Sequence, residues 1–455
     1  MRTVLPITLL ATALAGGLLA NPSSGALLAQ DVARPLTDLT PREAVQLGLE
    51  HNQRIRAAQA DADGALAAFH QARASRLPSV RIRGDYRRLV GDLPDPQLGI
   101  PDFDPGFALF RIPRDQIHTE LSLEQPLFQG GALRNRALAA EHEADAAMFL
   151  ADQERTDMAL AVRTAYWGLY RALAVEAAAE AALEQMEAHV DHLENLLEEG
   201  VILRSDLLAA RTRRSEVRLD GVEAANAVRV ARLELNRLIG LPLDEEFRLV
   251  SDEIDPAFQA GVELGELVER ALAGSPQLRA MAERARALDR RVGETRGAWL
   301  PQISLVARYT YARPNPLVFT EMDEFRALGE AGVLLSWSVF EGGRRPAQTA
   351  QARAQVRAAE ARLTDAREEV AVRVRRQHLE ALHAQEALAV AVEHAEEAEE
   401  TFRVVQEQFE EGVILSAQVL EAEQVHRSAQ ARHAAAEAAL AIAQAALLHA
   451  LGDVW

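Results

Sequence analysis

The hexapeptide Glu198-Glu199-Gly200-Val201-Ile202-Leu203 returns unchanged as Glu410-Glu411-Gly412-Val413-Ile414-Leu415, an offset of 212 residues. Phe128-Gln129-Gly130-Gly131 matches Phe340-Glu341-Gly342-Gly343 at the same offset, and so does Gly240 with Gly452. Loops drift in length between copies of a unit, so a register kept from Phe128 to Gly240 without a single insertion means that rigid elements fill it. The chain has to fold as two copies of one unit.

From Gly131 to Glu198 there is no proline, Gly168 is the sole interior glycine, and Ala, Leu, Glu and Arg dominate. Those are strong helix formers, so the stretch reads as one long helix. Met186, Val190, Leu193, Leu197 and Val201 step by threes and fours, and Ala398, Phe402, Val405, Phe409 and Val413 repeat the pattern. Such a seam packs like a coiled coil. A helix of about 65 residues is roughly 100 Å long, far more than a globular core needs. Each rod stops at the repeated glycine, which best tolerates a left-handed turn, and Ser205 or Ser416 offers an N-cap for a returning helix. The returning helices are expected over 204–239 and 416–451, and earlier half-length helices over 41–75 and 264–297.

Between half-helix and rod the period changes from 3.6 to 2. Val80, Ile82, Gly84 and Tyr86 alternate with Arg81, Arg83, Asp85 and Arg87; Ile117, Thr119, Leu121 and Leu123 alternate with His118, Glu120, Ser122 and Glu124. The second copy sets Ile303, Leu305, Ala307, Tyr309 and Tyr311 against Ser304, Val306, Arg308 and Thr310, then Val333, Leu335, Trp337 and Val339 against Leu334, Ser336 and Ser338. One apolar face and about 9–11 residues are the marks of membrane-barrel strands. A lone pair would read as a soluble hairpin, but two matched pairs, each feeding a rod through Phe-x-Gly-Gly, do not. Arginine at Leu305 should therefore block assembly, whereas Ser304, on the other face, should accept one. Four strands cannot close a barrel, and lipid does not tolerate open strand edges, so the protein must be an oligomer of two, three or four chains.

Met1-Arg2 and the apolar run from Val4 to Ala20 read as a secretory signal within residues 1–30, cleaved between Ala20 and Gln30. No later stretch approaches about 18 uninterrupted apolar residues. The chain has no cysteine, so neither disulfides nor a lipid-bearing N-terminal cysteine is expected, and all 49 basic residues are arginine. Without lysine, P-loop and Schiff-base chemistry are excluded. A net charge of −19 argues against nucleic acid as a partner.

With Leu39-Thr40-x-x-Glu43-Ala44, the Leu77-Pro78 and Leu300-Pro301 pairs that open the strands, both Phe-x-Gly-Gly turns and both Glu-Glu-Gly-Val-Ile-Leu tips in order, the chain resembles the TolC family of outer-membrane efflux ducts. The likeness covers about 37 to 452 of the chain. It implies a mainly α fold with a small membrane β part: duplicated long helical hairpins and four strands per chain, three chains forming a twelve-stranded barrel continued by a helical tunnel across the periplasm. It also implies docking of a periplasmic adaptor (membrane fusion protein) at the tips, coupling to an inner-membrane pump, contact with outer-membrane lipid, and no cofactor. The organisation expected is a signal at 1–30, a first repeat at 31–240, a linker at 241–261 and a second repeat at 262–455. The docking tips are Gly200, Val201, Ile202 and Leu203 with Gly412, Val413, Ile414 and Leu415; the strand-to-helix turns are Gly130, Gly131, Gly342 and Gly343. For the periplasmic gate the family pattern has an arginine two residues past the second tip glycine and acidic residues six and nine past it. Here those positions hold Ile414, Gln418 and Glu421, while the first repeat keeps Asp206. The gate would rest on Glu421, with Glu423 turned to another face. Any belt round the waist of the tunnel would come from Leu241 to Gly261 and the N-terminal segment.

Signals of catalysis are thin. His189 and His192 have metal-ligand spacing, yet the second copy offers no counterpart, so no metal is expected. The pairs Glu396-Glu397 and Glu399-Glu400 read as solvated helix surface, and no catalytic residue is assigned. A periplasmic coiled-coil adaptor or structural protein is the rival reading, and the barrel-type strands and full duplication argue against it.

Overall fold

The computed structural model describes residues 38–91, 113–250, 262–318 and 323–454. The signal reading and residues 251–261 of the linker lie outside them. In chain order the first repeat runs β1 (Asp38–Leu39), α1 (Pro41–His51), α2 (Gln53–Ala74), β2 (Ser79–Arg88), β3 (Asp115–Gln129), α3 (Ala132–Glu198) and α4 (Arg204–Ile239). After β4 (Arg248–Leu249) the second runs α5 (Leu264–Gly274), α6 (Pro276–Gly297), β5 (Gln302–Arg313), β6 (Arg326–Ser336), α7 (Arg344–Glu410) and α8 (Ser416–Leu451). Both rods are 67 residues long, and the returning helices have the expected bounds.

The early half-helices are not continuous. Asn52 takes an extended backbone, its Oδ1 accepts from Arg54 N at 2.8 Å, and its Nδ2 donates to Leu238 O at 2.8 Å, so one side chain ends α1, caps α2 and pins both to α4. In the second repeat Ser275 does the capping, accepting from Leu278 N at 3.3 Å. Proline at the next position pushes Ser275 out of the helical region and then sits harmlessly at the first helical position. Each half-helix is thus a short helix and a long one meeting at a cap.

The core surrounds the middle of α3, where Met158, Val162, Tyr166, Trp167 and Leu169 are buried with Leu235 and Ile239 of α4. The Tyr166 hydroxyl lies 2.8 Å from both Leu39 O and Val250 O and accepts from Val250 N at 3.0 Å. It fastens the parallel pair β1–β4, which joins the N-terminal segment to the inter-repeat linker across α3. Arg248 grips Asp38 through two bonds of 2.9 and 3.1 Å on the same pair. The pair joins the two segments from which a waist belt is expected. Among the described residues α8 alone is apolar and long enough to cross a membrane, but more than half of that stretch is buried against other helices. Its hydropathy comes from alanines that let neighbouring helices approach closely.

The four long strands form one antiparallel sheet in the order β2-β3-β5-β6. The pairings place Val80, Leu123, Ala307 and Ala331 in one row and Ile82, Leu121, Tyr309 and Gly329 in the next, all on the apolar face. Arg81, Ser122, Arg308 and Glu330 share a row on the other face, where Arg308 meets Glu120 at 3.3 Å and Glu330 at 2.8 Å. Two details differ from expectation. Ser304 is buried and its hydroxyl takes a 3.4 Å bond from Gln129, so the site has no room for arginine. β6 ends at Ser336, leaving Trp337 and Val339 outside it. Its counterpart β3 reaches Gln129, the equivalent of Glu341, because β5 pairs with it that far. Residues 337–341 have no strand beside them in a single chain.

Candidate functional site at the hairpin tips

The two tips have the same geometry. At the first, Gly200 N donates to Leu197 O at 3.1 Å and Val201 N to Leu196 O at 2.9 Å; at the second, Gly412 N donates to Phe409 O and Val413 N to Gln408 O, both at 2.9 Å. This closure demands a left-handed residue, and Gly200 and Gly412 have φ of 75° and 74°. The chain beyond alternates. Val201 and Leu203 are exposed, as are Val413 and Leu415, whereas Ile202 turns inward onto Val190, Leu193 and Leu207. Ile414 is half-buried. The tip therefore offers a Val/Leu pair from each repeat rather than three contiguous apolar residues.

The serines are not the N-caps. Leu203 and Leu415 occupy that position, and the helices are capped from their third residue: Asp206 Oδ2 accepts from Leu203 N at 3.3 Å, and Gln418 Oε1 from Leu415 N at 3.2 Å. Ser416 instead meets His189 Nε2 at 2.9 Å. His189 and His192 flank the Phe409 ring with centroids 5.3 and 5.8 Å away, so this pair packs α3 against α7. Burial, reinforced by the neighbouring His192, lowers the His189 pKa to about 4.

Higher up, a charged knot joins α4 to α8. Glu423, 2% exposed, lies 3.7 Å from Arg213 and 3.5 Å from Arg427. Arg427 also bonds Asp220 at 2.5 Å, and Arg213 bonds Glu216 at 3.0 Å. Burial raises the Glu423 pKa, against the pull of Arg427 and Arg213. Its two pairings fall within ion-pair range and are long for hydrogen bonds. Glu423 is thus a buried link between hairpins and no neutral control for Glu421. Glu421 is exposed and pairs with no arginine among the described residues. Of the three expected gate residues, Asp206 and Gln418 serve as caps and Glu421 alone stands free. Sequence spacing could not find the knot, because Arg213 and Glu423 come from different repeats.

At the rods' other ends Gly130, Gly131, Gly342 and Gly343 all have positive φ. A Cβ on Gly130 would lie 2.2 Å from Gly297 O, so glycine there also lets α6 close on the turn. Around Gly342 the space is open in one chain.

A family model described as "Outer membrane efflux protein" matches residues 44–241 and 267–453. No curated protein sequence matches the chain. Among solved structures, the outer-membrane channel OprN is 22% identical with a TM-score of 0.74, covering 90% of this chain and 89% of its own. VceC of Vibrio cholerae is 19% identical with a TM-score of 0.73, over 91% and 96% of the two chains. The CmeC channel of Campylobacter jejuni is 16% identical with a TM-score of 0.75, over 90% and 85%. With the duplicated rods, the barrel-type strands and a family match over most of its length, this chain belongs to the outer membrane efflux protein family and forms an outer-membrane exit channel reaching into the periplasm.

Proposed function

We propose that three copies of this chain close a twelve-stranded barrel and a continuous helical tunnel, and that the channel is the passive exit of a tripartite assembly whose adaptor docks at the Val/Leu tips. The observation that carries this is the mismatch between equivalent positions of the two repeats. Trp167 on α3 is 2% exposed because α8 lies over it, whereas Leu379, its equivalent on α7, is 63% exposed. The helix that would cover Leu379 is α4 of another copy, and Val230, the equivalent of the Ile442 that packs near Trp167, is exposed there. The sheet makes the same demand. β2 and β6 are open edges, which lipid does not tolerate. The β3–β5 pairing of Ser122 with Arg308, transferred by the repeat, sets Leu334 of one copy opposite Asp85 of the next.

Nothing in this reading requires catalysis. Energy enters at an inner-membrane pump, and the adaptor couples it to the tips. Val201, Leu203, Val413 and Leu415 are the anchors, since apolar side chains exposed in the same way on both repeats need a partner to cover them. Glu421, brought together three times by the symmetry, forms the acidic part of the gate. The double variant Leu203→Asp with Leu415→Asp tests the docking. It should remain in the outer membrane as a full assembly while adaptor crosslinking and export disappear; export at the wild-type level would place docking elsewhere.

A further inference from the structure

We propose that His142, Asp145 and Glu283 form a divalent transition-metal site that staples the first repeat to the second. His142 and Asp145 lie three apart on α3 and so share a face, and Glu283 comes across from α6. One ligand atom from each falls within 4.8 Å of the other two, and His142 Nδ1 is 2.8 Å from Glu283 Oε2. A zinc-type ion with bonds of about 2.1 Å holds its ligands roughly 3.4 Å apart, a distance that small side-chain rotations reach from here.

The charges favour a cation over a closed ion-pair cluster. Arg286 neutralises Glu283 from its own helix, but Asp145 has no hydrogen bond or ion pair among the described residues. Two carboxylates therefore converge, Glu283 held by Arg286 and by the proton of its hydrogen bond with His142, and Asp145 held by no side chain among the described residues. A divalent ion would displace that proton, satisfy Asp145 and keep one position for water. One imidazole with two carboxylates suits zinc and its transition-series neighbours; magnesium and calcium prefer oxygen throughout. The site occurs once per chain, because the repeat places Ala354, Arg357 and Ala60 at the equivalent positions. It is also remote from the tip histidines, whose partners are Phe409 and Ser416.

The test uses the full-length channel in detergent, stripped with a chelator and titrated with Zn2+ by calorimetry, with thermal unfolding followed in parallel. The wild type should bind one Zn2+ per chain and its unfolding midpoint should rise, since a ligand selective for the folded state stabilises it. Asp145→Asn removes a group with no partner, so the apo midpoint should stay put while affinity falls at least about tenfold. His142→Gln should abolish the site, and His192→Gln should leave it intact. Equal Zn2+ affinity in the wild type, Asp145→Asn and His142→Gln would overturn the proposal, as would a wild type whose unfolding midpoint ignores Zn2+.

Discussion

Gly200 and Gly412 were readable as turns from sequence because only one residue type fits a left-handed closure cheaply. His189 was not readable in this way. Its spacing from His192 invites a metal, but its neighbours come from the other repeat: the Ser416 hydroxyl and the Phe409 ring. Burial there holds its pKa near 4, below the ordinary value of 6.5. Between those values the unfolded chain binds the proton and the folded tip does not, so His189 takes stability away as pH falls through this window. Amide protection at the tip, taken relative to the intrinsic exchange rate at each pH, should therefore fall from pH 7 to pH 5 in the wild type. His189→Gln, which keeps a hydrogen-bonding group toward Ser416 and cannot titrate, should flatten that change. Identical pH slopes in the two proteins would remove His189 as the cause.

The rods and strands were legible because each carries one period over many residues, and a long pattern overrides local noise. Breaks depending on a single side chain were less so: Pro276 marks the α5–α6 boundary, but Asn52 looks like any polar helix residue until its bond to Leu238 O is seen. The register aligns the apolar positions of the four strands on one face, as the alternation implies. Leu305→Arg, directed at lipid, should cost about 2–4 kcal/mol near mid-membrane and block assembly. The control on the polar face is Ser79→Arg, since Ser79 is exposed where Ser304 is buried; equal assembly of both variants would mean the faces are exchanged. Between the returning helices, Glu423→Gln should weaken the link from α8 to Arg213 by about 1–3 kcal/mol and raise the open-channel conductance. Glu421→Gln should leave conductance near wild type and reduce cation selectivity, because it removes an exposed charge from the proposed ring. Swapped phenotypes in single-channel recordings would exchange the roles of these two glutamates.

At the scale of the whole molecule, the duplication is itself the assembly instruction. The strand pairings inside the repeats are equivalent, Arg81 with Ser122 in the first and Ser304 with Leu334 in the second, once the longer connection between β2 and β3 is allowed for. The β3–β5 pairing between repeats therefore predicts the β6–β2 pairing between copies, and with it the strand that residues 337–341 lack. A bond already marks that extension: Gln125 Nε2 reaches Arg76 O at 2.9 Å, and Trp337 Nε1 reaches the equivalent Trp299 O at 3.2 Å, so a different side chain spans the same gap. Because the chain has no cysteine, the seam can be tested without background. Leu334→Cys with Asp85→Cys in one chain should, on mild oxidation, give a covalent ring of three on a denaturing gel, since directly opposed residues lie within disulfide reach. Leu334→Cys with Arg81→Cys, displaced by four residues or about 13 Å along the strand, should remain monomeric on the same gel. Crosslinking of the displaced pair would refute the register, a limiting covalent species of two or four chains at complete oxidation would refute the trimer, and no crosslink from the opposed pair would remove the repeat as a guide to the seam.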